Sequence, residues 1–126
     1  HLVLRRQRQM CIRDRSQISR VFQNLIINSI HAIQEANVSN GKIIVESSVT
    51  NDYLNILILD NGVGLKYEKN ELIKPYFTTK KRRGGSGLGL AIVEKILFDH
   101  NAEFFIENRN DGTEGTKVEI KFDNKK

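Results

Sequence analysis

Apolar residues return every three or four positions between residues 16 and 36, at Ile18, Val21, Phe22, Leu25, Ile26 and Ile33. That period predicts one amphipathic helix. Ser16 stands where an N-cap is wanted, and Asn37-Val38-Ser39-Asn40-Gly41 supplies turn formers at the far end. The pattern then changes. Residues 42–50 and 53–60 carry β-branched residues and read as an antiparallel hairpin joined by Asn51-Asp52. A second helical stripe, Leu90, Ile92, Val93, Ile96 and Leu97, predicts a helix over 88–100. Two more strands, 102–107 and 116–122, flank the turn-rich Asn108-Arg109-Asn110-Asp111-Gly112. From 62 to 85 no period is sustained and the only proline, Pro75, occurs; a segment of this length predicts a functional lid or mobile loop. These elements predict an α/β (α+β) two-layer sandwich, a mixed β-sheet covered on one face by helices.

Composition sharpens this reading at two points. The single cysteine, Cys11, excludes a disulfide framework and a cysteine-based metal site. No apolar run is long enough for a membrane span or the core of a signal peptide, which suits a cytoplasmic domain. The net charge of +5 suggests nucleic acid, but residues 1–15 hold five arginines against one aspartate, four of those five charges. Met10-Cys11-Ile12-Arg13-Asp14 resembles the translation of a sequencing adapter. The expectation is therefore a non-native or disordered arm over 1–15, a domain over 16–122, a polar tail over 123–126, and no nucleic-acid partner.

Three stretches carry candidate chemistry. Asn24 and Asn28 lie one turn apart in an otherwise apolar helix. Asparagine is a poor helix former, and its amide oxygen is a hard ligand of the kind magnesium accepts beside its waters; a surface pair is the plainer alternative. Asp60 ends the apolar strand Ile56-Leu57-Ile58-Leu59 and opens Asp60-Asn61-Gly62-Val63-Gly64. Its carboxylate suits the exocyclic amino group of adenine, or simply an Asx turn, while Gly62 and Gly64 allow a close backbone approach. Gly84-Gly85-Ser86-Gly87-Leu88-Gly89-Leu90 opens a helix, where free N–H groups attract phosphate oxygens. It follows a basic loop, not a strand, and lacks the Walker ending. In the neighbouring cluster Lys80-Lys81-Arg82-Arg83, one cation reaches the phosphates or all are solvated. Thr116 either places a hydroxyl under the base or starts an ordinary strand, and His31 is expected to face solvent.

In this order the motifs resemble the ATP-binding catalytic domain of sensor histidine kinases, in the Bergerat-fold (GHKL) superfamily. The N box is Asn24-Leu25-Ile26-Ile27-Asn28-Ser29 and the first glycine box Asp60-Asn61-Gly62-Val63-Gly64. The F box is Pro75-Tyr76-Phe77-Thr78-Thr79-Lys80, the second glycine box Gly85-Ser86-Gly87-Leu88-Gly89-Leu90, and Gly115-Thr116 fits the last box. The wording of 75–80 and 87–96 is most similar to nitrogen-regulation kinases of the NtrY/NtrB kind.

The resemblance implies ATP and magnesium held between the N-box helix and a lid over 66–86. Asn28 would ligate the metal, Asp60 would read adenine, and Gly62, Gly64 and Thr116 would line the nucleotide. Gly85, Gly87, Leu88, Gly89 and Lys80 would meet the phosphates, with Asn24 helping to hold the phosphates or the metal. ATPases of this fold carry a glutamate, the general base, where this chain has Asn24. The resemblance thus implies a phosphotransferase rather than a hydrolase. Its implied partners are a histidine-bearing dimerisation domain absent from this chain and a downstream response regulator. A homodimer is expected only in the full-length protein, a membrane-anchored bacterial sensor. The rival readings are a Bergerat-fold ATPase, a serine-directed kinase and a degenerate nucleotide-binding scaffold. A first strand is also expected before the N-box helix and is missing, so the domain is expected to be N-terminally truncated.

Overall fold

The computed structural model describes residues 2–65, 71, 73 and 89–123, with side chains described from residue 15 onward. Among the described residues six elements follow in order: α1 (Leu2–Ala36), β1 (Ile43–Val49), β2 (Tyr53–Asp60), α2 (Gly89–Asp99), β3 (Ala102–Asn108) and β4 (Thr116–Asp123). The expected elements are all present, with ends shifted by a residue or two, except at the start of α1. That helix runs from Leu2, so Ser16 is an exposed interior residue and not its cap. The reason is local: residues 2–15 contain neither glycine nor proline, and are rich in leucine, arginine and glutamine, which propagate a helix readily. Asn37 and Asn101, at φ of 55° and 56°, follow the two helices and end them in the left-handed conformation that asparagine tolerates.

The sheet order is β1-β2-β4-β3. Every pairing among these strands is antiparallel, so the expected mixed sheet is here an antiparallel one. Alternation sets its faces. Thr116, Val118 and Ile120 of β4 are buried while Lys117, Glu119 and Lys121 are not, the period of two that a half-covered sheet requires. On α1, Val21, Leu25, Ser29 and Ala32 recur at helical spacing on the buried side. Val21 and Leu25 share one core with Val93, Ile96 and Leu97 of α2, and that core closes on Ile58, Phe104, Val118 and Ile120 of the sheet. Two layers result, and the end of β2 emerges beside α1.

Candidate functional site

The loop that follows β2 is fastened to four different parts of the fold. Asp60 is 3% exposed. Its Oδ1 accepts the Gly62 N–H at 2.9 Å and the Thr116 N–H at 3.2 Å. Oδ2 has no hydrogen-bond partner among the described residues. The bond to Gly62 is an Asx turn, so that reading of Asp60 is correct and still leaves one oxygen for other chemistry. Asn61 turns the other way. Its Oδ1 accepts the Lys42 N–H and its Nδ2 donates to Asn40 O, both at 2.8 Å, which ties the start of β1 to the loop.

Gly62 is buried against α1, where an added Cβ would lie 2.5 Å from the Ala32 carbonyl carbon. Val63 then donates its N–H to Ala32 O at 3.2 Å. Ala32 sits one helical turn beyond Asn28, so the loop and the two asparagines share a neighbourhood. Asn24 and Asn28 are half-buried, and neither side chain forms a hydrogen bond to another described residue. Unused amide oxygens on a rigid helix are available as ligands. His31 is half-buried, against the expectation that it faces solvent, because it lies at helical spacing on the same half-buried face of α1 as Asn24 and Asn28.

The strand end opposite completes the arrangement. Thr116 is buried and its backbone joins it to Asp60 across 56 residues of sequence. Gly115 has φ of 146°, and a side chain there would strike Asp60 O, so only glycine allows β4 to start this close to β2. Three residues absent from the sequence-based candidates also converge here. Arg109 donates to Asp60 O, Asn108 bonds Leu65, and Asp111 holds Arg109. The Arg109–Asp111 pair raises the guanidinium pKa, chiefly through its hydrogen bond, and lowers that of the Asp111 carboxyl for the same reason. One signal could have flagged Arg109: it is the lone cation in a turn otherwise built of Asn, Asp and Gly.

Asp60, Gly62, Gly64 and Thr116 are thus gathered where the end of β2 meets the start of β4 beside Ala32 of α1, with Asn28 and Asn24 one and two turns before Ala32 on that helix. Gly89 begins α2, and an added Cβ there would meet nothing. Lys80, Gly85, Gly87, Leu88, the F box and the segment expected to be a lid lie outside the described residues. Among the described residues no group of three or more His, Cys, Asp or Glu could hold a metal ion. A divalent ion here would draw on amide oxygen and on ligands it brings with it. No helix among them is long and apolar enough to cross a membrane.

Comparison with known proteins places the chain in a family. Residues 13–126 match the family described as histidine kinase-, DNA gyrase B-, and HSP90-like ATPase. The nitrogen regulation protein NtrY of Azorhizobium caulinodans is 38% identical over 106 residues, which is 81% of this chain and 13% of that protein. Sporulation kinase C of Bacillus subtilis is 35% identical over 96 residues, 75% of this chain and 21% of that protein. The chain therefore spans less than a quarter of the length of these relatives. Among solved structures, the catalytic domain of histidine kinase ThkA, in a nucleotide-free form, superposes with a TM-score of 0.69 at 32% identity. That match covers 87% of this chain and 68% of the other.

Proposed function

The chain belongs to the histidine kinase-, DNA gyrase B-, and HSP90-like ATPase family, and from that premise we propose that it is the catalytic domain of a two-component sensor kinase, moving the γ-phosphoryl group of magnesium-bound ATP to a histidine. The observation that carries the nucleotide reading is the divided carboxylate of Asp60. One oxygen is fixed by two backbone N–H groups, and the other has no partner among the described residues. A carboxylate held this way accepts a hydrogen bond from the amino group of adenine and disfavours the carbonyl of guanine, since two acceptors cannot pair.

The residues present fit a magnesium ion that arrives with the nucleotide. Asn28 would hold it through its amide oxygen, with Asn24 one turn away steadying phosphate or metal. When bound, the ion would neutralise phosphate charge. Asn24 has no side-chain base at neutral pH, so this chain offers no carboxylate at that position to activate water. Phosphoryl transfer needs chiefly positioning and charge neutralisation. The bond between the β–γ bridging oxygen and the γ-phosphorus would break, a ring nitrogen of the acceptor histidine would bond that phosphorus, and ADP would leave.

The remaining assignments belong to the same proposal. Lys80, Gly85, Gly87, Leu88 and Gly89 would meet the phosphates, and Gly62, Gly64 and Thr116 the nucleoside. The acceptor histidine would lie on a dimerisation domain outside this chain, with a response regulator receiving the phosphoryl group afterwards. Dimerisation would belong to the full-length protein, a membrane-anchored sensor with this domain in the cytoplasm. The domain proper would be residues 16–122, between an arginine-rich arm over 1–15 and a polar tail over 123–126; the family match spans 13–126.

Titration calorimetry of two variants tests the site. Asn28→Ala is expected to lose the magnesium dependence of ATP binding, and Asp60→Ala the preference for ATP over GTP. Unchanged affinities in both would remove the assignment.

A further inference from the structure

Two consecutive residues at the end of β3 hold both ends of the loop formed by residues 60–65. Arg109 Nη1 donates to Asp60 O at 3.1 Å, gripping the loop where it starts. Asn108 grips it where it ends, with Oδ1 accepting the Leu65 N–H at 2.6 Å and Nδ2 donating to Leu65 O at 3.1 Å. The amide thus pairs with a backbone unit as a neighbouring strand would. Gly64, at φ of 80°, makes room for it, because a Cβ there would lie 2.7 Å from Asn108 Oδ1.

Neither side chain is needed to hold β3 against β4. That ladder pairs Ala102 through Asn108 with Phe122 through Thr116 by backbone alone. Arg109 is itself immobilised. Nε and Nη2 reach the Asp111 carboxylate at 3.1 and 2.7 Å, the backbone N–H bonds Gly115 O at 3.0 Å, and the side chain is 11% exposed. Its grip falls on the Asp60 carbonyl. A guanidinium paired with the carboxylate would occupy Oδ2, whereas this one sets the backbone from which the carboxylate projects.

We propose that Asn108 and Arg109 are positioning residues for base recognition: by pinning the loop at both ends they aim Oδ2 of Asp60 and so set the preference for a 6-aminopurine nucleotide. The inference rests on the nucleotide reading above. Its physical basis is that a hydrogen bond weakens steeply with misalignment, so a loop released at one end recognises the amino group poorly while still admitting the rest of the nucleotide.

The test compares the affinity of the full chain for ATP with that for its analogue lacking the 6-amino group, with magnesium present. Asn108→Ala and Arg109→Met are each expected to weaken ATP about fivefold, a typical single hydrogen-bond effect, and to leave the analogue unchanged. Arg109→Lys should recover part of the loss by reaching the same carbonyl. Asn108→Asp keeps the acceptor for Leu65 N–H and should fall between wild type and Asn108→Ala. These two milder variants serve if the truncations fail to fold. Equal weakening of both nucleotides, or no change in either, would overturn the inference. If the wild-type chain binds ATP no better than the analogue, or Asp60→Asn leaves that preference intact, the nucleotide reading falls and takes this inference with it. Wild-type preference that is lost in Asp60→Asn but kept in Asn108→Ala and Arg109→Met overturns the positioning role alone.

Discussion

Asp60 divides its carboxylate between two tasks: Oδ1 completes an Asx turn and receives the start of β4, and Oδ2 stays without a partner among the described residues. The same economy appears at Asn24 and Asn28, whose amides hold no part of the described fold together. Substituting them should therefore change chemistry more than stability. Asn24→Glu puts a carboxylate one turn from Asn28, where it can act as a base toward water. Release of inorganic phosphate from ATP is expected to rise above the wild-type background, read by a coupled phosphate assay. No rise would show that the residue at 24 is not what restrains hydrolysis. Asp60, Asn24 and Asn28 were legible in the sequence because polar residues interrupt apolar periodic runs there. Arg109 and Asn108 were not, because their meaning lies in contacts with Asp60 and Leu65 across 49 and 43 residues. No local pattern carries that.

Among the elements, α2 does the most to join the layers. Leu97 is fully buried between α1 and the sheet. Leu97→Ala is expected to cost about 2–5 kcal/mol in urea unfolding. Ile30→Ala, on the exposed side of α1, should stay within about 0.5 kcal/mol. Similar losses at both positions would contradict the packing described. Hydrophobic period was sufficient to find the two helices and four strands among the described residues, since each has one covered face. It was insufficient for the start of α1, because an arginine- and glutamine-rich run propagates a helix without any apolar stripe. It was also insufficient for pairing direction, since alternation within a strand says which face is buried and nothing about its neighbour.

At the scale of the molecule, β1 forms one edge of the described sheet and pairs only with β2. Thr50 donates to Tyr53 O at 2.8 Å. Because antiparallel pairs alternate, Ser48, Glu46 and Ile44 face β2, and Val45, Ser47 and Val49 direct their N–H and C=O groups outward. Val45 and Val49 are 56% and 70% exposed, and Glu46 is the only charge in the strand. Such an edge invites pairing with another chain. The 126-residue chain is expected to self-associate with rising concentration, and Val49→Lys to raise the monomer fraction in light scattering while nucleotide affinity is unchanged. A wild-type chain monomeric at high concentration would contradict this.

The central claim is that the loop after β2, the α1 asparagines and the start of β4 form one nucleotide site built for transfer rather than hydrolysis. Calorimetric titration of the chain with ATP, with and without magnesium and with released phosphate followed in parallel, tests it most directly. The account predicts magnesium-dependent binding of ATP with negligible phosphate release. Steady turnover would contradict the role given to Asn24, and a folded chain that binds no ATP would contradict the site itself.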